Sequence, residues 1–307
     1  MIIDRGAYGC VIKPSIPCKK YYDESVSKLF HNDQYYEEEK EISNIILKVD
    51  PNEKFTLKKL DECKVSNLSK KDRRSCKYQK NEFPKYQIVY RYGGIDVSKF
   101  IQTDYSAKTI LPAIKNLANG LVVLEKHRLC HRDIKESNIL FKDGLFYFID
   151  FGLMLSYDRL YDKDQDYVLK YNYCYYPPEF KIYYNYKFTQ KNLSSIDNIE
   201  KFVSKDVKLN YTKSEMVFDN KLIEKTVKFL LSSKSIDLLK IAMIQNANRV
   251  DIFGIGVVLM KVLLHSNDKH IELKLRLFEI IKKCVEINPY KRTTPTRLLK
   301  ELNSIYK

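Results

Sequence analysis

The 307-residue chain holds 54 Lys and Arg against 39 Asp and Glu, a formal net charge of +15, a length that fits two ordinary domains. No apolar run reaches transmembrane length and the start carries no signal-type segment, so no membrane span is expected. Seven scattered cysteines (Cys10, Cys18, Cys63, Cys76, Cys130, Cys174, Cys284) lack a C-x-x-C pair and predict reduced thiols in a cytoplasmic setting rather than a disulfide framework or zinc site. The basic balance fits a surface that attracts acidic protein substrates, or nucleic acid at low salt, and equally a solvated lysine-rich face. No DNA- or RNA-binding motif accompanies it.

In chain order, Gly6-Ala7-Tyr8-Gly9-Cys10-Val11 comes first, after only Met1-Ile2-Ile3 to build an opening strand. Glycines let a backbone approach phosphates without a Cβ penalty. Ser25-Val26-Ser27-Lys28-Leu29-Phe30 reads as a short strand. Asp33 to Val49 is helix-like, acidic at its front, with Ile42, Ile45, Ile46 and Val49 at helical spacing. Lys48 near its end is a solvated residue favoured by the helix dipole. Residues 52–86 read as a polar insertion whose section from Lys64 to Lys80 is a basic surface loop. Gln87-Ile88-Val89-Tyr90 is the next strand, followed by Arg91-Tyr92-Gly93.

The run His131-Arg132-Asp133-Ile134-Lys135-Glu136-Ser137-Asn138 then places a carboxylate, a lysine and an amide on one short loop. Leu145-Phe146-Tyr147-Phe148-Ile149, an apolar strand, delivers Asp150-Phe151-Gly152 twelve residues after Asn138. A carboxylate and a neutral amide oxygen suit hard, oxygen-seeking Mg²⁺ held together with phosphate oxygens. Tyr175-Tyr176-Pro177-Pro178-Glu179 closes the following segment, and residues 180–250 form a second insertion, helical by pattern from Lys221 to Ile244. Its Tyr183, Tyr184 and Tyr186 among lysines fit a lysine-coated docking subdomain, or stacking on a nucleic-acid strand. Asp251 to Leu259 is an apolar core helix too short to span a bilayer, and Leu273–Ile287 and Thr294–Ile305 are helical.

H-R-D-x-K-x-x-N followed at that interval by D-F-G resembles the catalytic loop and metal-binding element of eukaryotic-type protein kinases, serine/threonine type. The resemblance implies an α+β bilobal fold, with an antiparallel-sheet N-lobe and hinge over residues 1–93 and a mainly helical C-lobe over 94–307. It implies ATP and Mg²⁺ as cofactors and protein substrates. Asp133 would orient the acceptor hydroxyl, Lys135 would sit beside the transferring phosphate, and Asn138 and Asp150 would hold the metal. Lys28 would be the strand lysine, with Lys48 as its rival. Glu41 would be the helix partner of Lys28, and Glu37, Glu38 and Glu39 are alternatives on the same segment. Gly6, Ala7, Tyr8, Gly9, Val11, Tyr92 and Leu140 would enclose ATP, with Tyr90 at the gatekeeper position, although Asp4 replaces the family's first loop glycine.

Glu179 and Arg292 resemble the family's buried ion pair, and Asp251 its anchor for the catalytic loop. Arg132 resembles the arginine that captures a phosphate on the activation segment. Here Leu153 to Cys174 holds only Ser156 as Ser or Thr but is rich in Asp, so Asp162, Asp164 or Asp166 is expected to replace the phosphate, with phosphorylated Tyr161 or Tyr167 as the rival. Asn172 stands where serine/threonine kinases hold a threonine. The lysine-, asparagine- and tyrosine-rich composition is similar to that of kinases from large DNA viruses, which implies host cytoplasm or virion. A pseudokinase or scaffold that binds nucleotide weakly is the alternative reading. A small-molecule kinase fits less well, because Lys135 and the Glu179/Arg292 pair are present.

Overall fold

In the computed structural model the described residues are 2–6, 9–66, 68–76, 84–160, 174–177, 179–180 and 244–305. They divide into two units, Met1–Gly94 with Tyr147–Gly152, and Ile95–Phe146 with Leu153–Lys307.

The first unit is built on five antiparallel strands: β1 (Ile2–Arg5), β2 (Gly9–Ile12), β3 (Ser25–Phe30), β4 (Lys59–Lys64) and β5 (Tyr86–Arg91), in the order β1-β2-β3-β5-β4. Register assigns the faces, because residues directly opposite share one. Val11 lies opposite Lys28 and Lys28 opposite Ile88, while Val26 lies opposite Tyr90. These side chains share a face, and helix α1 (Asp33–Val49) covers part of it, packing Tyr36 with Phe30 and Ile88. The other face buries Cys10, Ile12 and Leu29 with Ile16, Val65 and Cys76.

Helix α1 starts where Asn32 caps it, accepting from the Tyr35 amide at 2.8 Å. At its other end the Asp50 carboxylate accepts four hydrogen bonds: from the amides of Lys54, Phe55 and Thr56 at 2.9, 2.9 and 3.0 Å, and from the Thr56 hydroxyl at 3.0 Å. The Phe55 carbonyl accepts in turn from the Phe148 amide at 2.9 Å. The end of α1 is thereby tied to the strand that leads to Asp150.

Two expectations are corrected here. The polar 52–86 region is more than surface loop, since it contributes β4 and a short helix, α2 (Lys70–Ser75). Four cysteines are not reduced thiols: Cys10 is bonded to Cys76, and Cys18 to Cys63. Both bonds join the start of the chain to the 52–86 region, which sequence separation alone does not bring together. Cys130, Cys174 and Cys284 are not disulfide-bonded.

The second unit is mainly helical: α3 (Val97–Phe100), α4 (Ala107–Lys126), α5 (Val250–His265), α6 (Ile271–Lys282) and α7 (Pro295–Asn303). Helix α4 buries Ile110, Leu111, Ile114, Leu117, Leu121 and Leu124, one stripe at helical spacing. Helix α5 is apolar all round and buried along nearly its whole length, the pattern of a core helix. A Cβ on Gly256 would lie 2.6 Å from the Cβ of Cys284, so that glycine allows close packing of α5 on the following chain. Short strands frame the 131–138 loop: β6 (Ile95–Asp96), β7 (Leu129–Cys130), β8 (Ile139–Lys142), β9 (Leu145–Phe148) and β10 (Leu155–Ser156), with sheet orders β6-β8-β9 and β10-β7. The fold is α+β, as the resemblance implied. The helical pattern at 221–244 falls almost wholly, and the rest of the 180–250 insertion largely, outside the described residues. No described helix is long and apolar enough to cross a membrane.

Candidate active site

Strand β3 presents Lys28 on the face covered by α1, where its Nζ donates to Glu39 Oε2 at 2.9 Å and to Asp150 Oδ1 at 3.2 Å. Burial works against the lysine's charge, but Asp150 and then Glu39 outweigh it and hold the ammonium above the usual lysine range. The partner is therefore Glu39, not Glu41. The reason is helical phase. Glu39 lies between Tyr36 and Ser43 on the buried stripe that continues to Ile46, whereas Glu41 is about 200° further round and exposed. Glu41 follows from the family's spacing, which does not register that Ile45 is 43% exposed and the polar Ser43 is buried in its stead.

Glu39 has a second partner. Tyr90 Oη donates to Glu39 Oε1 at 2.9 Å and lies 2.7 Å from Ser43 Oγ, which itself donates to the Glu39 carbonyl at 2.7 Å. Burial of the Tyr90 hydroxyl, and then the charge of Glu39, push it well above the usual tyrosine value. The sequence placed Tyr90 beside a nucleotide site but gave no sign of this bond.

The glycine segment is partly described. Gly6 N donates to the Gly9 carbonyl at 2.9 Å, while Ala7 and Tyr8 lie outside the described residues. Gly9 is required by the sheet itself: a Cβ there would sit 1.8 Å from the Leu29 carbonyl oxygen. Nothing lies within 4 Å of a Cβ on Gly6. Val11 is half-buried on the Lys28 face, and Tyr92 donates its amide to the Glu24 carbonyl at 2.7 Å with Lys13 Nζ 3.1 Å above its ring centre. Lys48 is exposed near the end of α1, far along the helix from Glu39.

In the second unit the 131–138 loop is held from below. Asp251, in the first turn of α5, accepts from the amides of His131 at 2.6 Å and Arg132 at 3.0 Å. Asp133 Oδ2 accepts from Lys135 Nζ and from Asn138 Nδ2, both at 2.8 Å. Asn138 Nδ2 also donates to the Asp133 carbonyl at 2.8 Å, which fixes its amide with the nitrogen toward Asp133. Leu140 is half-buried in β8 opposite Asp96. Both Arg132 and Asp150 have positive φ, +67° and +59°, a conformation that surrounding structure must impose on non-glycine residues.

Glu136 was not singled out in the sequence. It is 8% exposed, accepts a short bond from Tyr175 Oη and pairs with Lys261 Nζ at 2.7 Å, tying the loop to α5 and to the segment before Glu179. The Glu179 carboxylate meets Arg292 in a two-pronged pair, Oε1 to Nη1 at 2.6 Å and Oε2 to Nη2 at 3.0 Å, with both side chains at most 2% exposed. Asn172 and the acidic and tyrosine candidates at 161–167 lie outside the described residues.

Asp150 in the first unit carries a carboxylate and Asn138 in the second an amide oxygen, donor types that each suit Mg²⁺. Among the described residues no three His, Cys, Asp or Glu side chains gather as a metal cage.

Residues 56–192, a little under half of the chain, match the family model described as protein tyrosine and serine/threonine kinase. No curated protein matches the chain. The match covers the 131–138 loop and Asp150-Phe151-Gly152 but neither Lys28 nor Arg292. It supports the bilobal kinase fold and protein kinase activity, with the ATP and Mg²⁺ that this family generally uses.

Proposed function

We propose that this chain is a serine/threonine protein kinase that transfers the γ-phosphate of ATP, with Mg²⁺, to protein hydroxyls. The observation that carries the reading is the Asp133, Lys135 and Asn138 cluster. A carboxylate on a fixed loop accepts from a lysine that can also face a transferring phosphoryl group, while an amide locks the geometry. Phosphoryl transfer needs positioning and charge neutralisation more than covalent chemistry. Asp133 orients the acceptor hydroxyl and takes its proton, and Lys135 offsets charge on the transferring oxygens. Lys28, kept charged by Glu39 and Asp150, holds the non-transferring phosphates. Asn138 and Asp150 would hold the metal, which would supply neutralisation of phosphate charge. Gly6, Ala7, Tyr8, Gly9, Val11, Tyr92 and Leu140 make the nucleotide's remaining surroundings, with adenine read by the backbone around Tyr92.

Lys135 supports serine and threonine as acceptors, and the +15 charge supports acidic protein substrates. The composition supports an origin in a large DNA virus. The two disulfides remove the thiol argument for a reducing compartment. The pseudokinase reading draws on Asp4 in place of the first glycine and on Gly9, which the sheet needs whether or not a phosphate binds.

Incubation of purified protein with labelled ATP and acidic protein acceptors separates the two. The wild type transfers label to serine and threonine, while Asp133→Asn and Asp150→Ala fold with unchanged melting temperature and lose more than about tenfold in kcat, a barrier increase of at least ~1.4 kcal/mol. Label found mainly on tyrosine would overturn the acceptor assignment, and a wild type without transfer would leave the scaffold reading.

A further inference from the structure

We infer that Tyr90 is a positioning residue for phosphoryl transfer, its hydroxyl acting with Ser43 as a clamp that holds Glu39 against Lys28. This deepens the kinase reading and rests on it.

Glu39 has two carboxylate oxygens, and each has one donor: Lys28 Nζ at Oε2 and Tyr90 Oη at Oε1, both at 2.9 Å. A carboxylate bound by lysine alone can rotate about its terminal torsion, which is broad, and still keep a contact. A second donor on the other oxygen fixes the plane. Tyr90 is suited to this because its ring leaves few torsions to order and its strand position is set by pairing with Val26 and Lys59. Ser43 Oγ lies 2.7 Å from both Tyr90 Oη and the Glu39 carbonyl one turn earlier; with Tyr90 donating to Glu39, its single hydrogen either supports the tyrosine oxygen or closes back on that carbonyl.

The network therefore runs Ser43–Tyr90–Glu39–Lys28–Asp150, joining α1 to β5, β3 and the metal-binding carboxylate within one unit. Tyr90 bonds to neither Lys28 nor Asp150, so its hydrogen-bonded route to them passes through Glu39, beside a weaker direct electrostatic interaction with Asp150. Burial raises the tyrosine well above its usual range, so it remains a neutral donor throughout the working pH range.

The test is a double-mutant cycle on full-length protein, read as kcat and ATP KM with melting temperature as control. Tyr90→Phe, which removes only the hydroxyl, lowers kcat about fivefold, the scale of one net hydrogen bond, with KM for ATP changed by less than about twofold and the protein still folded at the assay temperature despite a modest fall in melting temperature. A residue that merely shaped the nucleotide pocket would move KM instead. In a Glu39→Ala background, followed by single-turnover rates, Tyr90→Phe adds less than about a 1.5-fold loss, because its hydrogen-bonded route to the phosphates is gone. Ser43→Ala gives a smaller loss of the same kind. Equal losses in both backgrounds, or wild-type kcat in Tyr90→Phe, would overturn the clamp while leaving the kinase reading intact. An inactive wild type would overturn both.

Discussion

Arg292 is 1% exposed, and its five guanidinium hydrogens are spent on Glu179 and on the carbonyls of Glu286, Arg249 and Ile287. Such a pair is weak evidence for net stability, since desolvation offsets the attraction, but breaking it strands a buried charge. Arg292→Met alone is expected to destabilise the fold by roughly 3–5 kcal/mol in chemical denaturation. Arg292→Lys recovers little, because an ammonium cannot engage both carboxylate oxygens in that geometry. Arg132 poses the opposite case. It is 2% exposed, and among the described residues its Nε and Nη2 have no hydrogen-bond partner. A buried cation calls for an acid, and the sequence between Tyr157 and Tyr167 has four aspartates and no serine or threonine. Dephosphorylated protein, checked by mass spectrometry, is expected to transfer phosphate without a lag. A strict need for phosphate on Tyr161 or Tyr167 would refute this.

At the scale of elements, the glycine segment separates two roles that a motif merges. Gly9→Ala forces a Cβ into the Leu29 carbonyl and is expected to lower stability by about 1–3 kcal/mol or more, read as a shift of the denaturation midpoint. Gly6→Ala has space and is expected to fold within about 0.5 kcal/mol of wild type, so any loss of Mg-ATP affinity there reports on phosphate approach. Strand β3 and helix α1 were legible to the residue, because buried strands and capped helices write their periods plainly. Strand β4 was not. Lys-Leu-Asp-Glu-Cys-Lys is a charged edge strand, and edges carry charge to discourage further pairing, which erases the apolar alternation. Glu39 stood only as an alternative to Glu41, because the choice followed the family's spacing and the buried stripe of α1 that singles it out includes Tyr36 and Ser43, which a hydrophobic pattern does not count fully. The loop residues Asp133, Lys135 and Asn138 were legible from spacing, but the Tyr175–Glu136–Lys261 contact joins three distant segments and leaves no local trace.

For the whole molecule, the two disulfides lie entirely in the first unit, and the 18–63 closure is nested within the 10–76 closure. Cysteine spacing does not encode connectivity, so neither bond could be read in advance. Cross-links stabilise mainly by restricting the unfolded chain, typically by about 2–4 kcal/mol each. Calorimetry with and without reductant is expected to show that reduction lowers the transition of the first unit and leaves that of the helical unit in place. An unchanged thermogram would show that the bonds contribute nothing to stability.

The four hydrogen bonds on Asp50 have a mechanical consequence. They make the C-terminal end of α1 a pivot and leave Glu39 eleven residues away on the lever, about 16 Å along the axis. A tilt of only ~10° about that pivot carries Glu39 about 3 Å, as far as the whole length of its bond to Lys28, and moves Ser43 about two-thirds as much. The helix thus amplifies small rotations into complete gain or loss of one ion pair, and a brake placed part-way along the arm, where Ser43 meets Tyr90, restrains the tip.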